Sequence, residues 1–486
     1  MSKSRKIIPI AVVGSGKAAT ASLFAYEAPN QIYARAVSGW FAAWRWAMVW
    51  ITQIVFYGLP WLQWNGRQAV LFDLEGQRFF LFGLALYPQD LIYLAALLIV
   101  SALALFFFTA VAGRLWCGFA CPQTVYTEIF MWVERKTEGD RIARMRLDAA
   151  PWSAQKLVRK AAKQTLWLAI SLWTGFTFVG YFTPILTLAA SASAWSAGPW
   201  EVFWVLFYGL FTYGNAGYLR EQVCKHMCPY ARFQGAMFDR DTLIIGYDKV
   251  RGESRGSRPR TAEPKALGLG DCIDCTLCVQ VCPTGIDIRD GLQSNCIGCA
   301  ACIDVCDSVM DKMNYPRGLI RYSTENALAH GWSRSELLRR IVRPRVLVYG
   351  AILLLVAATV VASLSLRSPF RVNVIRDRGV MARTVSNGVA ENVYRLQIMN
   401  ATETVQRYRI DVQGPHGLAL AQTAGLELMP IEERYVPVTV KLPGTAAASL
   451  AGQKLPIHFK VTQLAENGQE VQEVQVLEDS IFWVPR

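Results

Sequence analysis

Apolar residues are distributed along this chain in two ways. Over the first three-quarters they come in long runs: about Trp46 to Leu62, Leu91 to Val111, Thr165 to Ala189, Trp200 to Tyr218 and Val346 to Leu364. Each run is long enough to cross ~30 Å of hydrocarbon as a helix. The pattern therefore predicts a membrane α-helical bundle of five spans. After about residue 365 the pattern switches to alternation. Tyr394, Leu396 and Ile398 alternate with polar residues, as do Tyr408, Ile410 and Val412, then Val436, Val438, Val440 and Leu442, then Ile457, Phe459 and Val461. Short alternating strands at this density predict an immunoglobulin-like β-sandwich over 365–486. Asn467-Gly468 signals a type I′ hairpin there. That region has no cysteine for an inter-sheet disulfide and no catalytic constellation. Its histidines, His416 and His458, stand alone, and the expectation is a docking module.

Charge orders the spans. The chain has 486 residues, 53% of them hydrophobic, and a formal net charge of +13. Lys and Arg cluster beside the apolar runs, so membrane topology accounts for the basic balance and no nucleic-acid partner is called for. Residues 1–38 hold five basic residues, 112–164 ten and 219–345 nineteen, against two in 63–90 and none in 190–199. The alternation places the N-terminus and the segment 219–345 in the cytoplasm and 365–486 outside. The basic start of the chain does not read as a cleavable signal peptide, because Gly14-Ser15-Gly16-Lys17 breaks the apolar run. The resulting division is a flexible cytoplasmic tail (1–38), a four-span membrane domain (39–220), a juxtamembrane segment and linker (221–268, with 249–268 mobile), a cysteine-rich domain (269–318), a cytoplasmic connector (319–345), a fifth span (346–364) and the outer sandwich. Arg45, among Trp40, Trp44, Trp46 and Trp50, suits an interfacial belt.

All twelve cysteines lie in or beside the segments assigned to the cytoplasm, where thiols stay reduced. Eight form a repeat. Cys272, Cys275, Cys278 and Cys282-Pro283 have the spacing C-x2-C-x2-C-x3-C, and so do Cys296, Cys299, Cys302 and Cys306. This is the ligand run of two-cluster ferredoxins, in which the fourth Cys of each run serves the other cluster. Cys272, Cys275, Cys278 and Cys306 are then expected to hold one 4Fe-4S cluster, and Cys296, Cys299, Cys302 and Cys282 the second. Asp307 stands where a second proline is expected, which touches the local turn and no ligand. Structural zinc on paired C-x2-C motifs is the competing reading.

The other four cysteines form a second repeat. Cys117-Gly-Phe-Ala-Cys121-Pro122 follows the second span and Cys224-Lys-His-Met-Cys228-Pro229 the fourth. On a helix, positions i and i+4 share a face, so each C-x3-C could present two thiols together, and the parallel direction of the two spans would bring all four to one membrane depth. Four thiolates suit Cu(I), zinc or an iron–sulfur centre, with Met227 and His226 as further candidate ligands. Plain buried cysteine is the alternative.

With these residues in view, the sequence resembles the family of cytochrome c oxidase accessory proteins called CcoG, FixG or RdxA. The resemblance runs through Ile32 to Val37, Pro60 to Arg67, Leu71 to Leu74, Gly113 to Thr124, Trp132 to Lys136, Phe178 to Pro184 and Cys224 to Tyr230, and the domain order agrees. It implies a multi-pass protein of the bacterial inner membrane that assembles cbb-type cytochrome c oxidase. It further implies a cupric reductase that turns Cu(II) into Cu(I), with copper as substrate. Cys117, Cys121, Cys224 and Cys228 would act on copper. The implied partners are the membrane, copper ions, oxidase-assembly and copper-transport proteins and an electron donor. Two other classes fit the residues: a quinol-linked electron conduit to a periplasmic reductase, and a non-enzymatic assembly factor. No GxGxxG motif sits on a strand–helix turn, so a built-in NAD or flavin domain is not expected.

Overall fold

The computed structural model describes residues 32–376, 382–385, 388–422, 425–464 and 474–485. Five helices make its long axis: Trp40–Gly58, Leu91–Ala112, Ala154–Val179, Pro199–Thr212 and Pro344–Ser365. Among the described residues two segments are long and apolar enough to cross a membrane, Pro88–Ala112 and Pro344–Ser365. They lie antiparallel. Tyr93 at the start of one helix meets Ser363 at the end of the other (2.9 Å between hydroxyls), while Gly350 lets Phe107 approach closely.

The other three helices depart from the expected spans for identifiable reasons. The first begins six residues earlier than the apolar run and buries Arg45. The run expected over 165–189 is broken. Its helix ends at Val179 and a second one starts at Ile185. Pro184 cannot continue the backbone ladder. The buried side chain of Gln68 takes up the freed groups, donating to the Gly180 carbonyl at 2.7 Å and accepting from the Ile185 amide at 2.8 Å. The fourth helix changes to π-helical pitch over Tyr213–Leu219. Gly175 and Gly209 allow the third and fourth helices to touch backbone to backbone.

The C-terminal region is a two-sheet sandwich. One sheet runs in the order Ala419–Leu420, Glu433–Leu442, Ala390–Asn400, Phe370–Arg376, with Arg383–Thr384 also on the 390–400 strand. The other runs Gly425–Leu428, Gln406–Gln413, Lys454–Leu464, Gln475–Trp483. Neighbours are antiparallel. The alternation read from sequence has the right phase: Tyr394, Leu396, Ile398, Tyr408, Ile410, Ile457, Phe459 and Val461 all point into one core. Asn467-Gly468 lies outside the described residues. His416 is exposed, and His458 pairs with Asp479 on an exposed strand face.

The sandwich is tied to the connection that precedes the second helix. A small sheet of Val70–Asp73, Arg78–Leu81 and Leu84–Leu86 lies there. Glu403 of the sandwich receives Trp64, Asn65 and Arg67. The fully buried carboxylate of Asp90 receives Arg367 at 2.6 Å and Arg371 at 2.9 Å, just past the end of the fifth helix. At the other end of the second helix, Arg114 reaches the cysteine-rich domain. The two domains thus sit at opposite ends of a 22-residue helix, about 33 Å long at 1.5 Å per residue.

Of the two segments expected to be loose, residues 1–31 of the tail lie outside the described residues, and the described parts are packed. Residues 32–38 lie across the cysteine-rich domain, with the Arg35 amide on the Gln280 carbonyl and Val37 in a small core with Val281, Ala301 and Val305. Residues 249–268 are held by Arg258, which donates to the Gly270 carbonyl and to the Tyr315 hydroxyl. The pairing of Ile244–Tyr247 with Ile320–Ser323 closes that domain beyond the expected 269–318.

Replacing Asp90 by Asn leaves two guanidiniums without their anion. Removing one partner of a buried pair costs about 3–5 kcal/mol. Asp90→Asn is expected to detach the sandwich while leaving its own core intact. The check is faster release of the C-terminal domain by limited proteolysis with its own melting temperature unchanged.

Candidate functional site

Local backbone chemistry builds the first cysteine loops. In Cys272–Cys278 the left-handed residues are Asp274 and Thr276; in Cys296–Cys302 they are Gly298 and Ala300. The same two positions of each repeat turn the chain. Alternating handedness makes successive amides converge, which suits an anionic group. Helices then start at Leu277, for one turn, and at Ala301, running to Met313.

The loops enclose two cavities. One is lined by Cys272, Cys275, Cys278 and Cys306. The other is lined by Cys282, Cys296, Cys299 and Cys302, with Cys278 between the two. Each cavity therefore takes three sulfurs from one run and the fourth from the other. Among the described residues no three His, Cys, Asp or Glu side chains stand close enough to grip one ion. Burial pushes the thiols up, Cys278 to about 11 and Cys299 and Cys306 to about 12. Without a cation they stay protonated, and a bound metal centre would supply the charge that turns them into thiolates. Cys275 is exposed.

The membrane-edge cysteines come together, though not as successive turns of one helix. Cys117 lies in the short helix Leu115–Phe119, and Cys121 caps the next, Pro122–Thr137. Cys224 lies in a π-helical turn, and Cys228 caps Pro229–Met237. The proline after each second cysteine is the reason. It favours an extended residue before it and is at home at the first position of a helix, so each C-x3-C-P is a hairpin between helices. The four are nonetheless neighbours, so that ionising one thiol opposes ionising the others. His226 and Met227 are exposed and line none of these cavities.

Each hairpin is braced by the other. Gln123, after the first Cys-Pro, donates to the carbonyls of Asn215 and Arg220 ahead of Cys224. Gln234, in the helix after the second Cys-Pro, contacts the Cys117 sulfur at 3.3 Å. Below them, buried Glu134 receives Arg144 at 2.5 Å and Arg220 at 2.6 Å.

The cysteine-rich domain docks directly on these hairpins. A Cβ on Gly118 would stand 2.5 Å from the Gly298 carbonyl oxygen and 2.8 Å from the Cys299 nitrogen. Arg114 donates to the carbonyls of Ser294 and Cys296 (2.9 Å to the latter) and to that of Ala231 at 3.2 Å. Asp304 accepts from the amides of Phe41 and Ala42 at the start of the first helix. Arg45 is not at an interface with lipid headgroups; it is buried, and donates to the Cys299 carbonyl at 2.6 Å. Beside this contact a cleft runs from Cys224 to Cys299, past Arg45, Arg135, Glu128 and Met131. Sequence reading passed over Arg114, Gln123, Gln234 and Gly118. The signal for Arg45 was there: it is the one charge in its helix.

Family sequence models match three stretches: a 4Fe-4S binding domain over residues 94–138, a 4Fe-4S dicluster domain over 219–325, and the Ig-like fold at the C-terminus of FixG over 360–485. Protein RdxB of Cereibacter sphaeroides is 39% identical over 463 residues, covering 93% of this chain and 96% of its own. Nitrogen fixation protein FixG of Rhizobium meliloti is 38% identical over 420 residues, covering 80% of each. The crystal structure of a FixG-related protein from Vibrio parahaemolyticus covers 24% of this chain and 97% of its own, at 24% identity and a TM-score of 0.20.

Burial pushes Cys117 up to about 11 and Cys224 to about 12. A raised thiol keeps its proton until the pH approaches that value. Iodoacetamide alkylation of the metal-free protein should therefore be slow at pH 7 at these two cysteines. It should rise about tenfold per pH unit towards pH 11, since the thiolate is the nucleophile. Peptide mapping reads each site; a plateau near pH 9 would contradict this.

Proposed function

The chain belongs to the FixG/RdxA family of iron–sulfur electron-transfer proteins, and from that premise we propose that it reduces Cu(II) to Cu(I) for the assembly of cbb-type cytochrome c oxidase. The observation that carries this reading is the contact of the four-thiol hairpins with the loop of Cys296, Cys299 and Cys302, through Gly118 and Arg114. Soft-metal ligands and a cluster loop are joined there without an intervening element.

Cys272, Cys275, Cys278 and Cys306 hold one 4Fe-4S cluster, and Cys282, Cys296, Cys299 and Cys302 the other. When bound, the clusters pass single electrons, and each Cu(II) takes one, drawn from a low-potential donor. Cys117, Cys121, Cys224 and Cys228 bind the copper, two thiols at a time. Thiolate favours the Cu(I) product over Cu(II) and draws the reduction forward. The cleft along Arg45 and Arg135 opens onto Cys224 and supplies a route for the substrate. Met227 and His226, exposed at the same turn, serve as outer ligands during transfer. Copper-transport and oxidase-assembly proteins are the partners.

In this reading the protein is a five-span protein of the bacterial inner membrane, with its N-terminus and clusters cytoplasmic and its sandwich periplasmic. Exposed apolar side chains on the first and fourth helices, among them Ile54, Val55, Phe203, Phe207 and Phe211, support lipid contact beyond the two longest apolar helices. Reporter fusions after residues 345 and 370 should sit on opposite sides of the membrane. Two cytoplasmic signals would remove the fifth span.

A second reading is favoured by one match: the 4Fe-4S binding model over 94–138 spans Cys117 and Cys121. In it the four thiols hold a third cluster. A Cys224→Ser, Cys228→Ser variant separates the two. If copper is the ligand, the variant keeps its iron and loses Cu(I) binding and most dithionite-driven Cu(II) reduction. A drop in iron by one cluster's share assigns the thiols to iron instead, and unchanged copper reduction refutes a role in either.

A further inference from the structure

We propose that Arg45 and Arg114 set the direction of electron flow, by holding the cluster of Cys282, Cys296, Cys299 and Cys302 at a higher reduction potential than its neighbour. The inference rests on the ligand sets proposed above. It concerns the inner cluster, the one against the four-thiol hairpins.

Arg45 is 6% exposed and reaches the Cys299 carbonyl from inside the first helix. Arg114 reaches the carbonyls of Ser294 and Cys296. Among the described residues neither guanidinium has a carboxylate partner at ion-pair distance; their recorded hydrogen bonds go to carbonyl oxygens of the chain. A buried cation without a counter-ion is strongly unfavourable. An anionic cluster inside this loop is the counter-ion that buried Arg45 lacks, and half-buried Arg114, over the Phe238 ring, adds a second positive charge on the same side. Of the carboxylates around this loop, Asp304 is taken up by the amides of Phe41 and Ala42, Glu128 pairs with Arg135, and Glu221 lines the cleft beside Arg45 without an ion pair to it.

The outer cavity is charged differently. Its buried guanidinium, Arg289, is gripped by Asp274 at 2.5 Å and Asp287 at 2.6 Å. Arg258 touches the Cys272 carbonyl only at 3.4 Å, and its main bond is to the Gly270 carbonyl at 2.6 Å. Asp307 adds a carboxylate next to Cys306. With Asp271, beside Cys272, held by Arg251, four carboxylates oppose three guanidiniums outside, whereas Arg45 and Arg114 face the inner loop without an ion pair among the described residues.

Reduction adds one negative charge to a cluster. A fixed positive charge in a dry site stabilises the reduced form more than the oxidised one, and net charge and hydrogen bonding are the protein's means of setting the potential. Water at exposed Cys275 eases reduction of the outer cluster; the two unpaired guanidiniums outweigh it. Electrons that arrive at Cys275 then run downhill to the loop that touches the copper thiols. Arg45 and Arg114 act here as positioning residues, through the carbonyls of ligand cysteines.

The test is a redox titration of the full-length protein, purified anaerobically in detergent and followed by electron paramagnetic resonance. A Cys272→Ala, Cys275→Ala variant removes two thiols of the outer set and isolates the inner signal. The inner cluster is expected to titrate at the higher potential. Arg45→Gln should lower it by at least tenfold in the one-electron equilibrium, about 59 mV, with the outer cluster unmoved, and Arg45→Lys should restore most of it. If Arg45→Gln fails to load iron, Arg114→Gln carries the same expectation. Equal or inverted potentials in the unsubstituted protein overturn the inference, as does an unchanged inner potential in an iron-loaded Arg45→Gln. Loss of both signals in the double Ala variant overturns the ligand sets, and the inference with them.

Discussion

The contact between two backbones, Gly118 against Gly298 and Cys299, is the constraint on which the rest of the molecule depends. Side chains could have joined the cysteine-rich domain to the helices at a greater distance. Two glycines remove them and bring the C-x3-C-P hairpin onto the cluster loop itself. The surrounding polar groups hold that approach. Arg114 bonds to two carbonyls across the joint and to that of Ala231 on its own side, Tyr322 donates to the Gly298 carbonyl at 2.6 Å, and Asp304 caps the first helix from the far side. Each of these bonds satisfies a backbone group that close packing would otherwise strand, which is why the joint is polar in detail although it is tight.

Periodicity made the architecture legible. The sandwich alternation was right in phase because a strand buried on one face leaves no choice of register. The second and fifth helices were placed to within a residue or two, since no charged residue or proline interrupts their apolar runs. Where the reading went astray, a single residue had overridden composition. Pro184 broke the third run, and Pro122 and Pro229 turned two supposed helical pairs into hairpins. Arg45 looked like an anchor at the lipid surface because sequence shows its neighbours along the chain and not Cys299 across the fold.

The candidate site was legible as far as cysteine spacing extends. Spacing carries the partition of sulfurs between two cavities, because three sulfurs of a short loop must face one way. It cannot show what braces them. Gln123, Gln234 and Glu134 are ordinary helix residues in sequence, and their roles depend on distant segments meeting. Nor did spacing flag residues 249–268, where glycine and arginine suggested mobility and Arg258 instead stitches the segment to its neighbour.

The reciprocal glutamines also have a consequence for how the protein is made. Cys117 leaves the ribosome 107 residues ahead of Cys224, and Gln234, the side chain that reaches back to its sulfur, comes later still. At ~5–20 residues per second the first hairpin waits roughly five to twenty seconds, half-built, for its counterpart. Throughout that interval its thiols have neither the second pair nor the covering domain. Maturation of this protein is thus ordered by synthesis, and a nascent chain is most open to the wrong metal before its second half arrives.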